Sequence, residues 1–162
     1  GRALQAASGI GRRHIVELLL EHGANVHSRE YGTALQVAAH GGNLKIVQLL
    51  REHGANVNAP AQGSFWGSAL LAAATVGHTE IVELLLDNGA EVNGQGNTIL
   101  RLRRNAATYN GRENIVKLVL DQGADVNTAG EHGQTALGVP TSVGKLEIVK
   151  VFLEQGTNVN VK

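Results

Sequence analysis

One short string that begins with glycine recurs five times along this 162-residue chain. It reads Gly-Ala-Asn-Val or a close variant, and its copies begin at Gly23, Gly54, Gly89, Gly123 and Gly156. The interval is 31 residues from 23 to 54, 35 from 54 to 89, 34 from 89 to 123 and 33 from 123 to 156. A nearly fixed period of this length indicates a chain built from stacked copies of one small unit.

Two further anchors accompany every copy. An Ile-Val pair stands eight residues before each leading glycine, beginning at Ile15, Ile46, Ile81, Ile115 and Ile148. A second glycine stands four residues before each of these isoleucines, at Gly11, Gly42, Gly77, Gly111 and Gly144. A glycine just past a helix adopts the left-handed conformation at little cost. Each unit is therefore predicted to contain two short helices, both followed by glycine.

The clearest copy, residues 32–58, indicates how the units are stabilised. Its first helix is the run from Ala34 to Ala39, and its second runs from Ile46 to Leu50 with four apolar residues out of five. A helix that is apolar on nearly all sides must be covered from more than one direction. Helices this short do not persist alone in water. We therefore expect each helix pair to stack against the next, with a core of Ala, Val, Ile and Leu, because aromatic residues make up only 3% of the chain.

These residues resemble the ankyrin repeat, a unit of about 33 residues that consists of a hairpin and two antiparallel helices. The matching residues are Thr33-Ala34-Leu35, Ala38-Ala39, Gly42, Ile46-Val47, Leu49-Leu50 and Gly54-Ala55-Asn56-Val57-Asn58. The resemblance covers essentially the whole chain. It implies an all-α repeat solenoid of stacked helix-turn-helix units with connecting hairpin loops. A single domain of five units is expected, over residues 1–31, 32–66, 67–96, 97–132 and 133–162, with the first truncated and the fourth atypical.

Three departures from the family pattern stand out. The family's Thr-Pro-Leu-His is replaced here by Thr33-Ala34-Leu35-Gln36, which makes Gln36 the candidate to replace the histidine. In the fourth unit, either Arg104 takes the core leucine position, or Leu100 keeps it and four residues are inserted before Gly111. In the fifth unit Pro140 replaces the equivalent of Ala38, and proline inside a helix costs about 3 kcal/mol.

Composition and motifs argue against catalysis. The chain has 14 basic and 14 acidic residues, so nothing in its charge favours a nucleic acid or a membrane as partner. It has no cysteine for a disulfide, a thiolate metal site or a nucleophile. The fragments Gly9-Ile10-Gly11 and Gly94-Gln95-Gly96 lack the third glycine of a dinucleotide loop. No two histidines have metal-ligand spacing on one helix. We expect no catalytic residue, no cofactor and no metal site.

The resemblance implies where a partner would bind. Family contacts come from hairpin tips and from the ends of first helices, which carries over to Gly9, Ile10, His40, Gly41, Thr75, Val76, Tyr109, Asn110, Ser142 and Val143. These positions vary between copies, whereas their neighbours repeat. The rings of Tyr31, Phe65 and Trp66 either pack across adjacent hairpins or project as interface anchors. Arg101, Arg103 and Arg104, with Arg112 nearby, form a solvated face, an acidic-partner contact or a phosphate site.

The predicted function is a non-catalytic protein-protein interaction module with a concave binding surface. Its partner is expected to be another protein or another domain of the parent chain. An alternative function is a regulatory or sensor arm of a larger enzyme, such as a signalling NTPase. The chain has no methionine, even at position 1, which favours a fragment of a longer protein. With no targeting signal at its start, the module is expected inside the cell, in the cytoplasm or nucleus.

Overall fold

A computed structural model describes residues 1–28, 32–60, 67–94, 113–127, 136–142 and 144–160, with only the backbone at residues 139 and 142. The chain divides into two compact units, residues 1–91 and 92–162. All regular secondary structure among the described residues is helical, apart from a single bridge residue at Gly32. The predicted all-α repeat architecture is therefore confirmed, whereas the predicted repeat boundaries stay predictions.

The unit of residues 1–91 contains three helix pairs. They are α1 (Arg2–Gly9) with α2 (Arg13–Glu21), α3 (Ala34–His40) with α4 (Leu44–Glu52), and α5 (Ala69–Val76) with α6 (Thr79–Asp87). Within each pair the two helices pack together. The first helices also pack closely in the order α1, α3, α5, while the second helices contact one another less extensively.

The unit of residues 92–162 has three described helices. They are α7 (Glu113–Asp121), α8 (Gly138–Ser142) and α9 (Leu146–Glu154). Helix α9 packs against both α7 and α8. The two alternatives for the fourth unit, based on Arg104 and Leu100, lie outside the described residues.

Glycines end the helices as the period predicts. Nine of the ten anchor glycines are described, all except Gly111, and every one of the nine has a positive φ. After α3, Gly42 has φ 72°, and the amide of Asn43 donates to the carbonyl of Ala38 at 3.0 Å. This bond satisfies a carbonyl that the end of the helix leaves without an intrahelical partner. The high glycine content therefore reflects helix ends.

Small residues let the first helices approach one another. In α3, Ala38 and Ala39 are fully buried, and α5 buries Ala72, Ala73 and Ala74 completely. Close packing of this kind leaves few voids, so a single added methyl group is felt. The prediction of an alanine-rich core along the first helices is confirmed.

Helix α4 is covered by a second helix on each side, as predicted, because it packs against both α2 and α6. Ile46 in α4 is 2% exposed, whereas the equivalent Ile15 in α2 is 50% exposed. In the opposite direction, Leu20 at the end of α2 is 9% exposed, whereas the equivalent Leu153 in α9 is 45% exposed. The same position is therefore buried or exposed according to whether a neighbouring pair covers it. Burial in this fold is supplied largely by the neighbouring unit.

Gln36, which stands at the position of the family's histidine, makes four hydrogen bonds. The Gln36 side-chain oxygen, Oε1, accepts from the Thr33 backbone amide at 2.8 Å. The Gln36 backbone amide donates to Thr33 Oγ1 at 3.2 Å. These two bonds form a capping box at the start of α3. Gln36 Nε2 also donates to the carbonyls of Ala59 and Gly67, at 3.3 and 3.2 Å. One buried side chain thus caps its own helix and holds the following loop.

A pair of hydrogen bonds between successive repeats recurs at an asparagine side chain. Asn58 Nδ2 donates to the Gly89 carbonyl at 3.0 Å, and Asn58 Oδ1 accepts from the Glu91 amide at 2.9 Å. Within residues 92–162, Asn93 and Asn127 each make the same pair of bonds to the following repeat. His27 occupies the equivalent position in the first repeat, and it has no carboxamide that could donate one of these hydrogen bonds and accept the other.

Pro140 does not interrupt the interior of a helix. Helix α8 begins at Gly138, so Pro140 is its third residue. The amides of the first turn have no intrahelical partner, and the bond from Thr141 to the Leu137 carbonyl forms at 3.1 Å. The expected cost of an interior proline is therefore avoided by a later helix start.

Candidate partner-binding surface

The ends of the three first helices lie next to one another. Helices α1, α3 and α5 end at Gly9, His40 and Val76. Asn43, at the start of α4, donates from Nδ2 to the carbonyls of Ser8 and Gly9 at 2.8 and 3.0 Å. One unit along, His78 Nε2 lies 3.1 Å from the His40 carbonyl. The structure therefore brings together six predicted contact residues, which are Gly9, Ile10, His40, Gly41, Thr75 and Val76.

Asn43 and His78 were not predicted to have this role. Each follows directly after the glycine that ends a first helix and reaches back to the preceding unit. The His78 ring also lies against Gly42, where an added Cβ would be 2.6 Å from Cε1. The sequence signal was a polar side chain immediately after Gly42 and Gly77. Its acceptor is a carbonyl more than 30 residues earlier, which the repeat pattern alone does not identify.

Gly41 has a structural reason to lack a side chain. A Cβ at this position would lie 2.4 Å from the Gly9 carbonyl oxygen and 2.7 Å from Asn43 Nδ2. The ends of α1 and α3 can approach this closely only because residue 41 is glycine. Gly41 is exposed, and it can contact a partner through its backbone.

The side chains at the ends of the three first helices are apolar or neutral. Ile10 is 70% exposed and Val76 is 40% exposed. Thr75 is partly buried, and its Oγ1 donates to the Ala72 carbonyl at 3.0 Å. Burial lowers the pKa of His40, and the nearby His78 lowers it further. His40 is therefore neutral near pH 7 and can act as a hydrogen-bonding group.

An open groove of about 400 Å³ lies between α1 and α3. Its lining residues are Arg2, Gln5, Ala6, Gly9, Ile10, Val37 and His40. Gln5 holds one side of it, because its Nε2 donates to the carbonyls of Gly32 and Ser28 at 2.7 and 3.3 Å. The groove thus joins the predicted contact positions of the first two units.

Several predicted contact residues lie outside the described part of the chain. They are Tyr31, Phe65, Trp66, Tyr109, Asn110 and Val143, together with the cluster of Arg101, Arg103, Arg104 and Arg112. Ser142 is the last residue of α8, and only its backbone is described. Their roles, including the alternatives for the aromatic rings, stay predictions.

No group of three or more histidine or acidic side chains in the described part of the chain could hold a metal ion. Within the same residues, every helix is too short to cross a membrane. His22 and His53 are exposed, and the ring Nδ1 of each lies 2.9 Å from the carbonyl oxygen four residues earlier, at Leu18 and Leu49.

Comparison with known proteins agrees with this geometry. A family model described as ankyrin repeats (three copies) matches residues 1–61, 61–128 and 104–162. A search of curated proteins finds no match for the chain. The family matches together span residues 1–162, and the repeated helix pairs and bridging bonds agree with them. The chain therefore belongs to the ankyrin-repeat family.

Proposed function

We propose that this chain is a non-catalytic module that binds another protein through the ends of its first helices. Ankyrin repeats are generally protein-protein interaction modules. The observation that carries the proposal here is the row of helix ends at Gly9, His40 and Val76, held in register by Asn43 and His78. A surface that is ordered before binding loses less conformational entropy when the partner binds.

The exposed apolar side chains on this row supply the driving force. Ile10 and Val76 expose apolar area at the ends of α1 and α5. Covering such area is favourable by roughly 25 cal/mol per Å². The polar contribution comes from backbone groups at Gly41 and from the neutral ring of His40. The partner is another protein or another domain of the parent chain.

The proposal is tested by affinity capture with two substituted baits. Val76→Asp places a charge among the first-helix ends, whereas Leu18→Asp places one on the exposed side of α2. Proteins captured by the unsubstituted chain and by Leu18→Asp should be absent from the Val76→Asp capture. Circular dichroism must first show that both variants keep the helical fold. If Val76→Asp captures the same proteins as the unsubstituted chain, binding does not occur at this surface.

A further inference from the structure

We propose that the groove between α1 and α3 binds an aliphatic side chain from an acidic segment of a partner protein. The groove lies beside Ile10, the most exposed of the large apolar residues that the structure describes. This inference rests on the proposed function and specifies the chemistry of the partner. Its first support is the mainly apolar lining that Ala6, Ile10 and Val37 provide.

The shape of the groove favours a protein segment. A small-molecule site encloses most of its ligand, whereas this groove is open to solvent along its length. Gly9 forms part of its lining, and an added Cβ there would only reach ordinary contact with Val37 at 3.6 Å. The absence of a side chain at Gly9 therefore leaves room above Val37 for part of a ligand. A protruding aliphatic side chain fits such a depression.

The charges around the groove favour an acidic segment. Helices α1, α3 and α5 contain no carboxylate. The described carboxylates of residues 1–91 all lie on second helices or in the turn after one of them, at Glu17, Glu21, Glu52, Glu80, Glu83, Asp87 and Glu91. No carboxylate of the described residues lines the groove, and Arg12 is exposed two residues after Ile10. This arrangement of charge favours a partner that carries Asp or Glu beside its apolar residue.

The walls of the groove are fixed before binding. On one side Gln5 is tied to the carbonyls of Ser28 and Gly32. At the other end Asn43 is bonded to the carbonyls of Ser8 and Gly9. Both sets of bonds link the first repeat to the second repeat. The spacing between α1 and α3 is therefore set by polar contacts as well as by packing. The groove is therefore a preformed site.

The test is selection of a random-peptide display library on the complete 162-residue chain. We expect the enriched peptides to combine Leu, Ile or Val with Asp or Glu. A synthetic, fluorescently labelled copy of an enriched peptide should bind Ile10→Glu at least about tenfold more weakly than the unsubstituted chain. Ile15→Glu is the matched control, because Ile15 is also exposed but lies on α2. Its Kd should change by less than about twofold.

Salt provides a second measurement of the same proposal. The affinity of the labelled peptide should fall about threefold or more between roughly 50 mM and 500 mM salt, because screening weakens attraction to Arg12. Melting temperatures of both variants must stay close to that of the unsubstituted chain. This condition separates loss of the groove from loss of the fold.

The outcomes separate this inference from the proposed function. The enriched peptides could be basic or uncharged and still lose binding to the Ile10→Glu or Val76→Asp variant. That result would overturn the acidic-segment inference but would leave the proposed binding surface at the first-helix ends standing. Binding that is insensitive to both changes would overturn both proposals. Self-association in sedimentation experiments that Ile10→Glu abolishes would identify a second copy of the chain as the occupant, which also overturns the inference.

Discussion

Helices α3 and α8 hold the same position in their repeats, but they differ in length. Helix α3 runs from Ala34 to His40, whereas α8 runs only from Gly138 to Ser142. When the two repeats are aligned on Gly42 and Gly144, α8 begins two residues later than α3. Leu35 in α3 is 1% exposed, whereas the equivalent Leu137 is only partly buried.

We attribute the difference to the first turn, where the two helices differ at one position that could cap the helix. Helix α3 has Gln36 there, which completes a capping box with Thr33 and binds the carbonyls of the following loop. The equivalent residue in α8 is Gly138, which has no side chain and loses more conformational entropy on entering a helix. The start of α3 is therefore held by its capping box and by bonds to the next loop, in addition to the alanine and leucine residues that both repeats share.

The largest effect is expected when α3 loses its capping side chain. Gln36→Leu keeps a similar volume but leaves the Thr33 amide and the carbonyls of Ala59 and Gly67 without their bonds. Since burying an unpaired polar group costs about 1–3 kcal/mol, we expect the free energy of unfolding to fall by about 3 kcal/mol. Urea denaturation followed by circular dichroism measures it. Gln48→Leu, on the partly buried surface of α4, should change it by less than about 0.5 kcal/mol.

A loss of less than about 1 kcal/mol in Gln36→Leu would remove the explanation given for the difference between α3 and α8. The leucine and alanine packing that the two repeats share would then hold α3 without help from its cap. The short α8 would have to result from Pro140 instead.

The opposite end of α3 provides the next largest effect. Gly41→Ala would push a methyl group to 2.4 Å from the Gly9 carbonyl oxygen. Since overpacking costs about 1–3 kcal/mol, we expect a loss near 2 kcal/mol. Gly9→Ala is the matched control, because its Cβ meets only Val37 at 3.6 Å. It should be neutral or slightly stabilising. Equal losses in the two variants would show that the close approach of α1 and α3 can relax.

Restoring the missing side chain in α8 should have a smaller and favourable effect. Gly138→Gln recreates the Thr-Ala-Leu-Gln sequence of α3 and removes a helical glycine, so a gain of about 1 kcal/mol is expected. Hydrogen exchange should show slower exchange of the Thr141 and Ser142 amides. Gly144→Gln is the negative control, because Gly144 has φ 71° and a side chain there is strained. No gain in Gly138→Gln would separate helix length from capping.

The fold could be predicted from sequence because its anchors repeat. The glycines at Gly42 and Gly54 and the pair at Ile46 serve local purposes, namely ending a helix and filling a covered position, and such purposes leave a periodic pattern. Gln36 could also be identified, because it departs from that pattern in a defined place. The register of helix pairs and the alanine-rich core follow from these features.

The candidate site could be predicted only in part. Variation between copies indicated His40, Gly41, Thr75 and Val76, and the structure brings these residues together. The variation between copies did not reveal that Gly41 is constrained by the Gly9 carbonyl, because that contact depends on the distance between two helices. The variation between copies also did not reveal the groove between α1 and α3, because its lining combines residues of the first two repeats.

The smallest effect is expected at Pro140, where the sequence pattern predicted a large one. Pro140 is the third residue of α8, and its missing amide would have had no intrahelical partner at that position. Its carbonyl accepts from the Lys145 amide at 2.9 Å, and any residue can provide that carbonyl. Pro140→Ala should therefore change the free energy of unfolding by less than about 0.5 kcal/mol. A gain above about 1.5 kcal/mol, with new protection of the Gly138 amide, would show that α8 extends once proline is removed. Pro140, and not the lack of a capping glutamine at position 138, would then be the cause of its short length.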